Sequence, residues 1–221
     1  MKRLTFIVCS SVMLAISACN DTPNTNSPAK NDSTVTTGTD SGTTAGNTPV
    51  TAPDTAAVRI AMETYATPGN MHKMLATQDG KWNAEITTWW APDGPPQKTI
   101  GVSVNKMVLG GRYQQSSFTG KFDNMPFEGK GTLAYDNTKK VFVSTWIDNM
   151  GTGVMILEGP WDAATKTISL SGSMTDPSTG KDCKVREIMT FTDDQHQKME
   201  MFAAPGGQKE YKTMEILFSR K

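Results

Sequence analysis

The residues able to do chemistry in this sequence are charged side chains set inside apolar, strand-like runs: Arg112, Glu128, Asp148, Glu158, Arg186 and Glu187. Burying any of them is costly unless it is paired. One reading is a polar pocket in which Arg112 and Arg186 fork onto an anionic group, with Glu128, Trp146, Asp148 and Glu158 completing the lining. The other is internal ion pairs or charges that face water. Asp148 with Glu158 could also work as an acid–base carboxylate pair. The two histidines are His72 and His196. Met199 and Met201 beside His196 are thioethers of the kind that suit copper(I), but methionine is abundant throughout and is the usual filler of irregular cores. Zinc catalysis needs three ligands and an open position, and haem ligation would rest on His72 or His196. No nucleophile elbow, phosphate loop or His-Glu-x-x-His run occurs. The expectation is no metal, no cofactor and no catalytic residue.

The elements that must position these residues are mostly strands. The densest signal runs from Tyr135 to Gly159, two strands around the bend Asp148-Asn149-Met150-Gly151, entered through Asp136-Asn137-Thr138-Lys139. Two short helices are predicted over 56–66 and 71–78. The first carries Ala57, Ile60, Ala61 and Thr64 on one face; Asn70 caps the second, whose stripe is Met71, Met74 and Leu75. From Lys81 the period becomes two, with Trp82, Ala84, Ile86, Thr88 and Trp90 on one side. Further strands fall near 98–109, 112–119, 127–134, 140–148, 152–160, 167–174, 183–192, 197–203 and 210–219. Between them lie turn residues such as Gly110-Gly111, Asp123-Asn124 and Pro205-Gly206-Gly207. About ten short strands joined by short loops predict an all-β, up-and-down antiparallel barrel; a meander of this many strands would leave two bare edges unless it closed on itself. The strand at 140–148 places Val141, Val143 and Ile147 opposite Phe142, Ser144, Trp146 and Asp148, so neither face is purely polar.

Gly80-Lys81-Trp82, a Gly-x-Trp opening the first strand after a short helix, resembles the lipocalin and calycin superfamily. The resemblance implies that Trp82 plugs one barrel end and that Arg220, near the end of the last strand, stacks on it. Over His72 to Lys221 the chain resembles the bacterial family called domain of unknown function 1579. The matching pieces are HKML (72–75), GKW (80–82), MVLGGRY (107–113), MPFEGKGTLAYDN (125–137), STWIDNMGTG (144–153), EGPWD (158–162), MTDPSTGKDC (174–183) and VREIM (185–189). The resemblance implies a lipocalin-like barrel and carries no activity with it.

The N-terminus reads as an address. Lys2 and Arg3 precede the apolar run Leu4–Ile16, which is too short to span a bilayer and suits a signal segment. Ile16-Ser17-Ala18-Cys19 resembles the lipobox of bacterial lipoproteins, which implies cleavage after residue 18 and acylation of the Cys19 thiol. Acyl chains on Cys19 would then be the membrane partner, since stable anchoring takes two chains or more. By resemblance to enterobacterial sorting rules, Asn20 after the cysteine implies the outer membrane, periplasmic face. An ordinary secretory signal cut near Ala18 is the other reading.

Residues 19–55 carry that cysteine and a Thr/Asn/Ser/Gly/Pro-rich linker with no Leu, Ile, Met or aromatic residue, which cannot bury enough to fold. As a flexible coil, its 36 residues after Cys19 reach about 30–36 Å. The globular domain is predicted over 56–221. Of three cysteines only Cys183 lies in it, so it holds no internal disulfide. That thiol is either a buried small hydrophobe or a reactive or interchain site.

The 221 residues carry 22 basic and 22 acidic side chains. Losing Lys2 and Arg3 leaves 20 basic against 22 acidic, so no electrostatic footprint for nucleic acid or anionic lipid remains. Aromatics at Trp89, Trp90, Phe142 and Trp146 and the usual siting of ligands in barrel mouths point to a membrane-anchored barrel holding a small, largely apolar ligand. The alternatives are an envelope interaction module without ligand, and an enzyme using the pocket carboxylates and arginines.

Overall fold

A computed structural model describes residues 54–221. The signal segment, Cys19 and all but the end of the linker lie outside the described residues. Two helices, α1 (Thr55–Ala66) and α2 (Asn70–Ala76), precede the strands β1 (Gly80–Thr88), β2 (Gln97–Val108), β3 (Tyr113–Phe122), β4 (Met125–Asp136), β5 (Val141–Asp148), β6 (Met155–Gly159), β7 (Trp161–Asp162), β8 (Thr167–Asp176), β9 (Lys181–Phe191), β10 (His196–Ala203) and β11 (Tyr211–Arg220). A short 3₁₀ turn covers Pro205–Gly207.

Apart from β6 and β7, each strand pairs antiparallel with its neighbour in sequence; β1 pairs with β11, and β6 closes the ring onto β8. β6 and β7 both pair with β8 in one continuous register, Glu158 opposite Ser171 and Trp161 opposite Ile168. They form a single strand interrupted at Pro160, which has no N–H to donate. The result is a closed barrel of ten strands in up-and-down order. Closure removes the bare edges that a ten-strand meander would otherwise carry.

Turn chemistry sets the strand ends. Asp123 and Asn124 both take positive φ, 47° and 62°, between the paired residues Phe122 and Met125. That is the two-residue hairpin geometry whose twist matches the strands, and Asp and Asn tolerate it. At the other end of β3, Leu109, Gly110 and Gly111 are left-handed in succession.

The helices differ from expectation in how they are held. α1 is capped by Asp54, whose carboxylate accepts from Ala56 N at 3.0 Å, but it buries no residue. Its predicted face is therefore not packed against the barrel. α2 starts at Asn70 rather than after it. Gly69 is the cap, and its N–H donates to Nδ1 of His72 at 3.0 Å. The stripe Met71, Met74 and Leu75 packs onto the main core with Phe142, Leu157, Ile168 and Leu170. Each such fully buried apolar side chain contributes about 1.5–3 kcal/mol.

Candidate functional site: the barrel lumen

Alternation along the strands decides which residues face inward. β1 buries Trp82, Ala84, Ile86 and Thr88 while Lys81, Asn83 and Glu85 stay exposed. On β9 the inward set is Cys183, Val185, Glu187, Met189 and Phe191. Register carries the same face around the wall: Glu187 sits opposite Leu170 on β8 and Met201 on β10, Met189 opposite Met199, and Met201 opposite Met214 on β11.

One end is sealed. Trp82 is fully buried and donates from Nε1 to Gln78 O at 3.0 Å. The Arg220 guanidinium lies 4.4 Å above the Trp82 ring. It donates to three backbone carbonyls, Asp194 at 2.8 Å and Asp79 and Thr77 at 2.7 Å each. A planar fork with five donors can do this and an ammonium cannot. Gly80 has φ 129°, in the region that favours glycine, and a Cβ there would sit 3.0 Å from Arg220 Nη1. The Asp79 carboxylate accepts from Met107 N at 2.9 Å and Gln114 Nε2 at 3.3 Å. Gln197 donates to buried Gln78 at 2.6 Å. Burial, and then the Arg112 charge, push the His72 imidazole below its ordinary value. It stays neutral, as its accepting Nδ1 requires.

The opposite end is a rim of turns. Asp176 ties two of them together, accepting from Ser178 N and Gly206 N at 2.8 Å each and from the Ser178 hydroxyl at 2.6 Å. These bonds hold its carboxyl down to about 2. Asp148 accepts from Trp146 Nε1 and Met150 N, both at 2.9 Å. Asn149 clamps the same turn to β4, accepting from Glu128 N and donating to Pro126 O, both at 3.0 Å.

Between these ends the inward-facing Met189, Met199, Met201, Met214 and Trp146 are only half-buried. These five side chains pack against the buried core clusters of the barrel interior and keep partial contact with solvent. The larger surface cleft, about 540 Å³, lies outside the barrel between α1 and the β4–β5 turn, against Ile60, Glu63, Thr64, Thr67, Asn137 and Lys140. A second of about 380 Å³ sits on the outer rim near Asp176 and Lys181. Neither has a buried charged group without a partner within it, since Asp176 in the second is fully hydrogen-bonded. The lumen does.

Of the residues singled out from sequence, the structure brings together Trp146 and Asp148, both inward on β5. Arg112 is exposed in the β2–β3 turn, donating to Leu109 O at 3.0 Å. Glu128 is exposed on the outer face of β4. Glu158, also outward, lies 3.9 Å from Lys139. Arg186 points outward, 4.0 Å above the Phe202 ring and 2.9 Å from Glu210. The two arginines therefore do not converge, and Asp148 and Glu158 lie on opposite faces of the wall. His196 is exposed against Asp193 at 3.0 Å, on the face opposite Met199 and Met201. Trp90 is exposed at the rim, and Phe142 belongs to the core.

Glu187 is the inward charge left out of the pocket expected from sequence. It is 8 % exposed, and its carboxyl has no hydrogen-bond or ion-pair partner among the described residues. No partnerless side-chain oxygen there is wholly sealed from solvent, so these oxygens keep a narrow contact with the lumen. Burial pushes the carboxyl up to about 7. The sequence does carry its signal: every second residue from Cys183 to Phe191 is apolar except this one.

A closed ten-strand meander, plugged at one end by a helix and a Trp–Arg pair, defines a lipocalin-like barrel. The chain belongs to the family described as a protein of unknown function, DUF1579, whose model matches residues 67–220. Among solved structures it is similar to Rv2717c from M. tuberculosis, at 14 % identity and a TM-score of 0.54, covering 70 % of this chain and 99 % of that one. It is also similar to the S-type phycobiliprotein lyase CPES from Guillardia theta, at 9 % identity and a TM-score of 0.52, covering 72 % of this chain and 96 % of that one. These likenesses are of fold. A comparison with curated protein sequences returns no match.

Proposed function

We propose that the protein is a lipid-anchored binding barrel of the bacterial envelope, which takes a small, largely apolar ligand into its lumen through the rim end. The observation that supports binding most directly is the half-exposed, inward-facing wall of Met189, Met199, Met201, Met214 and Trp146. Thioethers and aromatic rings give an apolar lining that adapts to shape. Both solved structures share the barrel, and one of them is a phycobiliprotein lyase, so a barrel of this shape can serve an active role.

Binding is tested with a neutral, environment-sensitive probe such as N-phenyl-1-naphthylamine. Met201→Trp, inside the wall, should abolish most of the fluorescence gain, while Ile156→Trp, outside it, should not. Equal binding by both variants would place the probe elsewhere and refute the lumen. The anchor is read from Cys19, the linker 19–55 and the apolar run before them. Membrane fractionation of Cys19→Ala, which should release the protein from an outer-membrane fraction, tests it. A second reading, an interaction module, is favoured by exposed Ile147 on β5, Ile156 on β6 and Val154 just before it.

A further inference from the structure

We propose that Glu187 is the polar anchor of the lumen and that the ligand it selects is an apolar chain or ring system bearing a basic nitrogen. The inference rests on the binding-barrel reading above and sharpens it. Glu187 lies midway along β9, inward, with Leu170 and Met201 on either side and Val185 and Met189 above and below it. None of these side chains can donate a hydrogen bond or supply a positive charge. The titratable groups on the neighbouring inward faces are Cys183 on β9 itself and Asp176 at the rim end of β8; β10 contributes none, its inward residues being Gln197, Met199, Met201 and Ala203. Asp148 is the further carboxylate on the inward wall, and its oxygens already accept from Trp146 and Met150.

A buried carboxyl with no partner is a cost to the folded chain. Native structures rarely keep one without a use, and perturbed, unpaired carboxyls in clefts mark sites. Among the described residues none supplies a cation at this position. The nearby cationic side chains on the barrel wall, Lys198, Lys212 and Arg186, are outward and already paired with Glu200, Glu215 and Glu210. A ligand ammonium would complete the pair, with thioether and aromatic surfaces around it for the apolar remainder. A ligand carboxylate would instead meet like charge, and an alcohol would gain only an ordinary hydrogen bond.

The test is calorimetric titration of the full-length chain with three probes of one chain length: dodecylamine, dodecanol and dodecanoate. Wild type should bind the amine roughly tenfold or more tighter than the alcohol, the range of a charge-assisted hydrogen bond. The carboxylate should bind weakest. Glu187→Gln should keep alcohol binding and lose the amine preference. If that variant does not fold, pH decides on wild type: the preference should be present at pH 8.5 and gone at pH 5.5, where Glu187 is protonated. Binding of all three probes alike, or an amine preference that survives Glu187→Gln or pH 5.5, overturns the role of Glu187. Binding of none of them overturns the binding-barrel reading itself.

Discussion

Arg220 and Glu187 are two charges handled in opposite ways. The Arg220 guanidinium has a ring beneath it and three carbonyls around it. Arg220→Lys keeps the charge but cannot make the fork, and should cost about 2 kcal/mol in urea unfolding. Glu187 has no such shell, and its effect on stability has the opposite sign from the usual carboxylate. Its folded-state carboxyl stands at about 7 against an ordinary 4.5, so the folded protein holds a proton that the unfolded chain has released. Its contribution is intact below about 4.5 and falls as pH rises to about 7. Glu187→Gln should therefore leave stability at pH 4.5 nearly unchanged and raise it at pH 8 by about 2–4 kcal/mol. No gain at pH 8 would mean the carboxyl is solvated. Asp176 behaves conventionally: held down to about 2 by three hydrogen bonds, it stabilises the rim until acid protonates it.

At the scale of strands, two aromatics lie against glycines across the wall. Trp146 covers Gly129 and Gly131 on β4 from β5, and Phe118 of β3 covers Gly101 on β2. The glycine lets the ring lie flat on the neighbouring strand, which lets β4 and β5 bend closely around the lumen. A Cβ at position 129 would overlap the Trp146 ring. Gly129→Ala should destabilise by about 1–3 kcal/mol and shift the emission of Trp146, whereas Gly151→Ala, with open space around it, should do neither.

These elements are legible in the sequence in unequal measure. Turn pairs such as Asp123-Asn124 announce the strand ends because only a few residues tolerate their backbone. Gly80-Lys81-Trp82 and Arg220 announce the sealed end. The inward face of β5 is not legible, because large residues occupy both sides of it. For the same reason an apolar run around Arg112, Glu128, Glu158 or Arg186 does not reveal that each faces out, where long stems cover the wall and their heads reach water. The single strand expected over 152–160 is shorter and broken: Pro160 splits β6 from β7, while β8 keeps the register across the break.

At the scale of the whole barrel, the described residues form a wall of ten strands, sealed at the Trp82 end, with a carboxyl and a set of thioethers on its inner face. α2 packs onto the core at the sealed end and forms its floor. α1 takes no part in the lumen, burying nothing while Asn137 holds its last carbonyls at 2.8–3.3 Å. Whether the lumen carries a ligand is read most directly by native mass spectrometry of the full-length protein purified from its own host. A loaded lumen gives a non-covalent adduct of small-molecule mass, lost on unfolding and absent from the Met201→Trp variant. Bare polypeptide in every preparation, or an adduct that persists in Met201→Trp, would contradict it.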